Sequence, residues 1–351
     1  MLIDAWWFSN TQGADEIIQP DFFIPRTHLG LYADGMLLEL PIHVSFAVSA
    51  QGKTIFEKQL VLTEPQTLND EYELAIDSRN GSITGTVFAE TPDVLPDHIN
   101  IRVESGADVY AKDIRCEYAT LSGYITDFSG NAFPAAFELN RIGFGGEAPC
   151  MGVWSGKDGN YSITVPKGTY NAFYVDDNSY GKTSLENWGW HMIVDRDENH
   201  DFKVGNGEVY NLNVWSNNGG YSTLFIYFRP MTLQKYEEYQ RRGEYKTEIN
   251  GREFSTIDLC PDLRIDDVVA SINGHKMTNI SLQRIMETGD IHAMHAYILQ
   301  ARRYPENEAY STVGKQTLIV EYNSKADDDH AAQSQGRTQF FYKDAHASSL
   351  L

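Results

Sequence analysis

The segment Ile42-His43-Val44-Ser45-Phe46-Ala47-Val48 decides the fold class, because apolar and polar residues alternate along it. Side chains of a β-strand point to opposite faces in turn, so the larger apolar residues of this segment share one face of an extended chain. The pattern predicts a half-buried strand. Similar short strands are predicted nearby, with turn residues between them, at 54–62, 71–76, 82–89 and 99–104.

The same spacing of short strands returns in the last third of the chain. Strands are predicted there at 221–227, 268–272, 295–301 and 316–322. A helix is predicted over 231–246, with Thr232 as its cap and Gly243 at its end, although this segment could instead be one long loop. Many short strands with little helix are typical of β-sandwiches, so we predict an all-β protein.

A motif of turn and core residues occupies the middle of the chain, at about 121–214. Its members are Gly123, Asp127, Gly130, Pro134, Asp158, Gly159, Tyr161, Gly168 and Tyr170. The pattern resembles the carboxypeptidase-regulatory-like domain, a small transthyretin-like sandwich. This resemblance implies a fold and brings no catalytic residue with it. The chain departs from the family by inserting an aromatic segment at 176–190.

The chain of 351 residues is longer than one hydrophobic core usually serves, since domains commonly span ~100–150 residues. We therefore predict three consecutive β-sandwiches and a tail. They are a jelly-roll-like sandwich at 1–118, the transthyretin-like sandwich at 119–214, an immunoglobulin-like sandwich at 215–323 and a mobile polar tail at 324–351. Residues 296–300 followed by 318–322 resemble the closing strands of an immunoglobulin-like domain. Within the tail, 339–342 could still pair as one late strand.

The formal net charge of −21 argues against two classes of partner. Such a field repels nucleic-acid phosphates and anionic lipid, so nucleic-acid and membrane binding are not expected. Neutral sugars, cations and basic proteins remain. Three scattered cysteines do not form a zinc motif or a disulfide framework. Asp4 interrupts any signal-peptide pattern, so we expect a cytoplasmic protein, although a mature fragment of a secreted protein would look the same.

The richest segment for function is 174–191, which combines aromatic and acidic residues. Sugar binding needs flat apolar surfaces for pyranose C–H groups and polar groups for the hydroxyls. The candidate ligand-binding residues are Tyr174, Tyr180, Trp188, Trp190 and His191. On an extended segment Trp188 and Trp190 would share one face. The alternative is that both tryptophans pack between two domains.

The same segment contains candidates for catalysis. Glu186 with Asp176 or Asp177 could supply the paired carboxylates of glycoside hydrolysis, where their separation decides the outcome. Sequence does not show that separation, and acid pairs are common in a chain with 49 carboxylates.

A partial calcium-loop pattern follows at 195–201. Its candidate ligands are Asp195, Asp197, Asn199 and Asp201, at alternate positions. His200 stands where the loop glycine is needed, so a plain polar hairpin turn is the alternative. His292 and His295 would point to opposite faces of a strand and so do not predict a metal site.

These observations favour a non-catalytic, multidomain binding protein that recognises a carbohydrate or a protein partner through 174–191. A glycan-active enzyme, hydrolase or lyase, is the first alternative. A structural protein that packs its sandwich ends into a homo-oligomer is the second. No cofactor is expected, and calcium at 195–201 is the one candidate.

Overall fold

A computed structural model of the chain describes residues 2–9, 27–77, 79–89, 94–140, 150–177, 179–217, 223–303, 315–324 and 333–343. Of the residues that the structure describes, 69% lie in strands and 5% in helices, and the strands form several antiparallel sheets, which confirms the all-β fold class.

The strands fall into three groups along the chain. The first group is β1 (Leu2–Ser9), β2 (Thr27–Asp34), β3 (Ile42–Ala50), β4 (Lys53–Leu62), β5 (Gln66–Leu68), β6 (Tyr72–Asp77), β7 (Ser82–Ala89), β8 (His98–Ser105) and β9 (Asp108–Arg115). The second is β10 (Tyr118–Asp127), β11 (Ala136–Asn140), β12 (Cys150–Trp154), β13 (Asn160–Pro166), β14 (Gly168–Asp176), β15 (Asn187–Val194), β16 (Glu198–Asn199) and β17 (Phe202–Val204). The third is β18 (Gly207–Trp215), β19 (Thr223–Thr232), β20 (Tyr245–Ile249), β21 (Arg252–Ile257), β22 (Val268–Ile272), β23 (His275–Lys276), β24 (Thr278–Thr288), β25 (His292–Arg302), β26 (Lys315–Ser324) and β27 (Ser334–Lys343).

The first group forms two sheets around one apolar core. Their strand orders are β1-β2-β7-β6-β5 and β4-β3-β8-β9. The four larger apolar residues of β3, Ile42, Val44, Phe46 and Val48, are at most 1% exposed, and the residues between them reach solvent, as the alternation predicts. Each aliphatic side chain buried in this way contributes about 1.5–3 kcal/mol to folding.

The second group packs against the first through β1, whose two faces belong to different cores. Trp7 joins the first core, whereas Trp6 and Phe8 point the other way and join the second. The second core lies between the sheet β13-β10-β16, with β17 also on β10, and the strands β12-β11-β14-β15. Its aromatic rings are in contact, with Phe137 and Phe202 stacked at 5.0 Å.

The third group completes the sheet that the second begins. One of its sheets runs β18-β19-β25-β21-β20, with β24 also paired to β25. The other continues from β15 through β27, β26, β22 and β23, giving eight strands in one sheet. The third core therefore shares a sheet with the second.

Within the predicted polar tail, Ser334–Lys343 forms β27, a strand that includes the late strand considered at 339–342. This strand pairs in parallel with β15 and antiparallel with β26. Phe341 joins the second core and Phe340 the third. The second and third cores share β27, because these adjacent aromatic residues point to opposite faces of the strand and each face covers a different core.

The strand β18 lies mostly before the predicted boundary after residue 214, yet it packs with the third group. β18 pairs with β19, and its buried side chains Val209 and Leu212 belong to the third core. The chain therefore passes from the second core to the third before Gly207. The division into three domains, and the likeness of the third to an immunoglobulin-like domain, stay predictions.

The predicted helix is present as α1 (Leu233–Arg242). The Thr232 hydroxyl accepts the Lys235 N–H at 3.2 Å, and the Gly243 N–H donates to the Tyr239 carbonyl at 2.7 Å. Gly243 has φ +73°, a conformation that glycine adopts without strain. Ile265–Asp267 forms a short 3₁₀ turn. Among the described residues, no helix is long and apolar enough to cross a membrane.

Candidate functional site

The candidate segment forms a hairpin in which β14 pairs with β15. Asp177 holds the turn together, because its Oδ1 accepts the Ser179 N–H at 2.9 Å and the hydroxyls of Ser179 and Ser184 at 2.6 and 2.9 Å. A carboxylate used in this way is a turn residue. The structure therefore gives Asp177 a local role and does not present it as a catalytic group.

Three of the predicted ligand-binding residues come together on one face of this hairpin. Tyr174 lies directly opposite Trp188, with ring centroids 4.8 Å apart. Trp188 and Trp190 stack at 5.3 Å with an interplanar angle of 12°, because residues i and i+2 of a strand share a face. All three side chains are half-buried.

A fourth ring, Tyr210 of β18, meets both tryptophans edge-on, at 5.2 Å from Trp188 and 5.7 Å from Trp190. Tyr174, Trp188, Trp190 and Tyr210 form what is called here the aromatic patch. Trp190 also packs against the third core, so packing between the cores, the alternative considered above, accounts for part of its burial. Sequence reasoning missed Tyr210, because only the approach of β18 to β15 brings it to the hairpin.

Four carboxylates lie beside the aromatic patch. Glu186 Oε2 accepts the Trp188 indole N–H at 2.6 Å, and Tyr174 donates its hydroxyl to Glu138 Oε2 at 2.6 Å. Glu208 accepts the Glu186 N–H at 3.2 Å. The fourth is Asp176, on the same face as Tyr174. Glu138 and Glu208, each 1% exposed, were missed because β11 and β18 bring them in from distant parts of the sequence.

Three of these carboxylates, Asp176, Glu186 and Glu208, hold protons more strongly than ordinary ones. Burial, followed by the negative charges of Glu186, Asp177 and Glu138, raises the pKa of Asp176 to about 7. Burial also raises the pKa of Glu186, although the Trp188 hydrogen bond opposes this. The pKa of Glu208 lies well above its ordinary value through burial and the charge of Glu186. The group can therefore exchange a proton near neutral pH.

The other two predicted ligand-binding residues lie outside the aromatic patch. Tyr180 contacts Tyr236 of α1, with centroids 6.0 Å apart, and burial with the charges of Glu208 and Glu186 raises its pKa. Tyr180 is therefore close to the carboxylates. His191 packs edge-on against Phe340 at 5.2 Å, and burial lowers its pKa.

The structure does not gather the predicted calcium ligands. Asp197 accepts the Thr120 N–H at 2.8 Å and Asp201 the Tyr124 N–H at 3.0 Å, so both side chains bond to β10. Asp195 lies 3.8 Å from Lys315, and Asn199 lies in β16, where it pairs with Ser122 of β10. Within the described ranges, no three His, Cys, Asp or Glu side chains converge closely enough to hold a metal ion.

His292 and His295 have separate acidic neighbours. His292 lies 3.6 Å from Glu244, and His295 lies 3.3 Å from Asp258. The two histidines therefore do not form a shared site.

No protein-family model and no curated protein sequence matches the chain. Solved structures with some likeness include a candidate carbohydrate-binding protein from Bacteroides uniformis, at 12% identity over 64% of this chain and 98% of that chain, with a TM-score of 0.22. A group B streptococcus pilus 2b backbone protein has 11% identity over 51% and 92%, with a TM-score of 0.20. A marsupial T cell receptor has 8% identity over 89% and 95%, with a TM-score of 0.16. Likenesses this low carry no argument about function, and the resemblance of 121–214 to the carboxypeptidase-regulatory-like domain stays a prediction.

Proposed function

We propose that this protein binds carbohydrate and holds a neutral glycan against the aromatic patch. The observation that supports this most is the meeting of Tyr174, Trp188 and Trp190 with Tyr210 beside four carboxylates. Aromatic rings accept the C–H faces of pyranose rings, and carboxylates accept hydrogen bonds from sugar hydroxyls. The site combines both kinds of group over neighbouring strands.

Two polar atoms at the site favour a ligand that can form hydrogen bonds. Asp176 Oδ1 and the Trp190 indole N–H are buried and have no hydrogen-bond partner among the described residues. A buried polar group without a partner costs about 1–3 kcal/mol, and a side-chain movement that exposes either atom to a sugar hydroxyl would recover that free energy. One atom accepts and the other donates, which suits a hydroxyl in either role.

The charge of the chain narrows the type of glycan. A net charge of −21 disfavours sulfated or uronic-acid glycans through repulsion. Neutral glycans avoid this cost. A neutral polysaccharide is therefore the ligand that we expect.

The test is isothermal titration against soluble neutral glucans, xylans and mannans. We expect binding by the wild type and a loss of about tenfold or more in Trp188→Ala and Trp190→Ala, since each removes a ring from the surface. Tyr124→Ala is the matched control, because Tyr124 is 52% exposed on β10, in the other sheet of the second group. Absence of glycan binding, or equal losses in the control, would contradict the proposal and favour a protein partner.

A second candidate, glycoside hydrolysis, is favoured by one specific observation. Asp176 has a pKa raised to about 7 and is electrostatically coupled to Glu186, which carries a raised pKa of its own. In glycosidases a carboxyl group with a raised pKa serves as the acid, and a second carboxylate serves as base or nucleophile. New reducing ends that appear with the wild type and disappear in Glu186→Gln, with binding retained, would establish this activity.

A further inference from the structure

The outer face of β19 carries large side chains that do not join the third core. Buried residues alternate along this strand with the half-buried Phe225, Tyr227 and Arg229. Because side chains alternate in a strand, these three share the face that points away from the core. Arg229 lies over the Tyr210 ring at 5.6 Å, so this face adjoins the aromatic patch.

A bulge in β18 lets its outward side chains point to the same face as those of β19. Tyr210 pairs with Arg229 and Trp215 with Phe225, and the register shifts between Tyr210 and Leu212. Residues 210 and 215 are an odd number of positions apart, so in a regular strand their side chains would point to opposite faces. The extra residue, Asn211 with φ +58°, returns Trp215 to the face of Tyr210.

The far end of this face presents a second aromatic surface. Trp215 is 39% exposed and stacks on Phe225 at 5.7 Å with an interplanar angle of 13°. Arg229 lies four positions after Phe225 along β19, a distance of roughly 13 Å at the rise of a β-strand. That distance exceeds the length of a single pyranose ring.

Polar groups occupy the stretch between the two aromatic surfaces. Glu287 Oε2 accepts hydrogen bonds from the Tyr227 hydroxyl and, at 2.5 Å, from Arg229 Nη2. Asn213 lies opposite Tyr227 and is exposed. Tyr227, Arg229 and Glu287 hold one another in place, and a rigid polar surface loses little entropy when it binds hydroxyls.

We infer that the binding surface continues along β18 and β19 from the aromatic patch to Trp215 and Phe225, and that it binds the interior of a linear neutral glycan several residues long. The inference rests on the proposed function, since it extends the same site. Rings at both ends with polar groups between them suit a chain whose sugar faces and hydroxyls both need contacts. A short sugar can occupy the aromatic patch but does not reach Trp215.

The test is titration with disaccharides to hexasaccharides of β-1,4-linked glucose, xylose and mannose. For a series that binds, we expect affinity to rise with length up to the longest oligosaccharides. Trp215→Ala should weaken hexasaccharide binding by about tenfold and leave disaccharide binding within about twofold, since one stacked ring contributes about 0.5–1.5 kcal/mol beyond its buried area. Trp188→Ala should weaken both.

Trp215→Phe, which keeps a ring at the position, should restore part of the loss, and circular dichroism should show that each variant folds. If no series binds, the proposed function fails together with this inference. If affinity does not depend on length, or if Trp215→Ala affects disaccharide and hexasaccharide equally or not at all, the inference fails while carbohydrate binding at the aromatic patch stands. Dimerisation that is lost in Trp215→Ala would show that a second copy of the chain covers this face, and would overturn the inference.

Discussion

The carboxylate of Glu186 accepts a 2.6 Å hydrogen bond from the indole N–H of Trp188, two residues further along the chain. This contact fixes one edge of the Trp188 ring while Tyr174 and Trp190 contact its surface. It also joins the two parts of the candidate site, because the carboxylate that orients the ring belongs to the acidic group with raised pKa values. The aromatic and acidic features of 174–191 therefore act as one unit.

Replacement of Glu186 should separate its orienting role from its charge. Glu186→Gln keeps an oxygen that can accept the indole N–H, so we expect glycan affinity within about threefold of the wild type. Glu186→Ala leaves this donor unpaired, at a cost of about 1–3 kcal/mol, and should weaken binding by about tenfold. Titration with the same glycan measures both. Equal losses in the two variants would show that the charge, and not the hydrogen bond, matters.

The raised pKa of Asp176 predicts how stability depends on pH. The folded protein binds this proton up to about pH 7, whereas the unfolded chain releases it near 3.8. Between these values the folded state holds more protons, so the stability due to Asp176 is full at low pH and declines as the pH rises to about 7. Asp176→Asn, which remains neutral, should escape this decline. The Tm of Asp176→Asn minus that of the wild type, measured by circular dichroism, should be larger at pH 8 than at pH 4.5. The same difference in Tm at both pH values would contradict the assigned pKa.

Local patterns allowed much of the fold to be predicted from sequence. The alternation in β3 and the cap and end of α1 depend on neighbouring residues, and both appear as expected. The pairing of Trp188 with Trp190 is also local, since it follows from strand geometry. Contacts that depend on pairing between distant strands were not predictable in this way. Tyr210 and Glu208 reach the site only because β18 lies against β15.

The composition of β27 misled the prediction for a physical reason. Ser334, Thr338 and Gln339 are buried, although such residues usually lie at the surface. Their polar atoms find partners inside the protein: Thr338 donates to the Trp188 carbonyl at 2.9 Å, and Gln339 to the Asp201 carbonyl at 3.2 Å. A shared strand between two cores needs such bonds, and sequence alone does not show them.

The role of β27 can be tested through Phe341. Its ring lies in the second core, 5.8 Å from Phe173 and 5.3 Å from His200. Phe341→Ala should lower the free energy of unfolding by about 3–5 kcal/mol, as expected for a large buried ring. Urea denaturation measures the change, with Tyr124→Ala as an exposed control. A loss below about 1 kcal/mol would restore the interpretation of this segment as a mobile tail.

Gly189 lies between the two tryptophans and faces the second core. A Cβ atom there would lie 1.7 Å from Phe173 Cζ, far closer than two non-bonded carbon atoms can approach. Gly189→Ala must therefore move either β15 or the Phe173 ring, and we expect a loss of about 1–3 kcal/mol in stability from overpacking. If β15 moves, the stacking of Trp188 on Trp190 changes as well, so near-ultraviolet circular dichroism should change and glycan affinity should fall. The double variant Gly189→Ala with Phe173→Leu offers more room for the methyl group and should recover the tryptophan signal. A stable single variant with an unaltered spectrum would show that close packing against Phe173 does not position the aromatic patch.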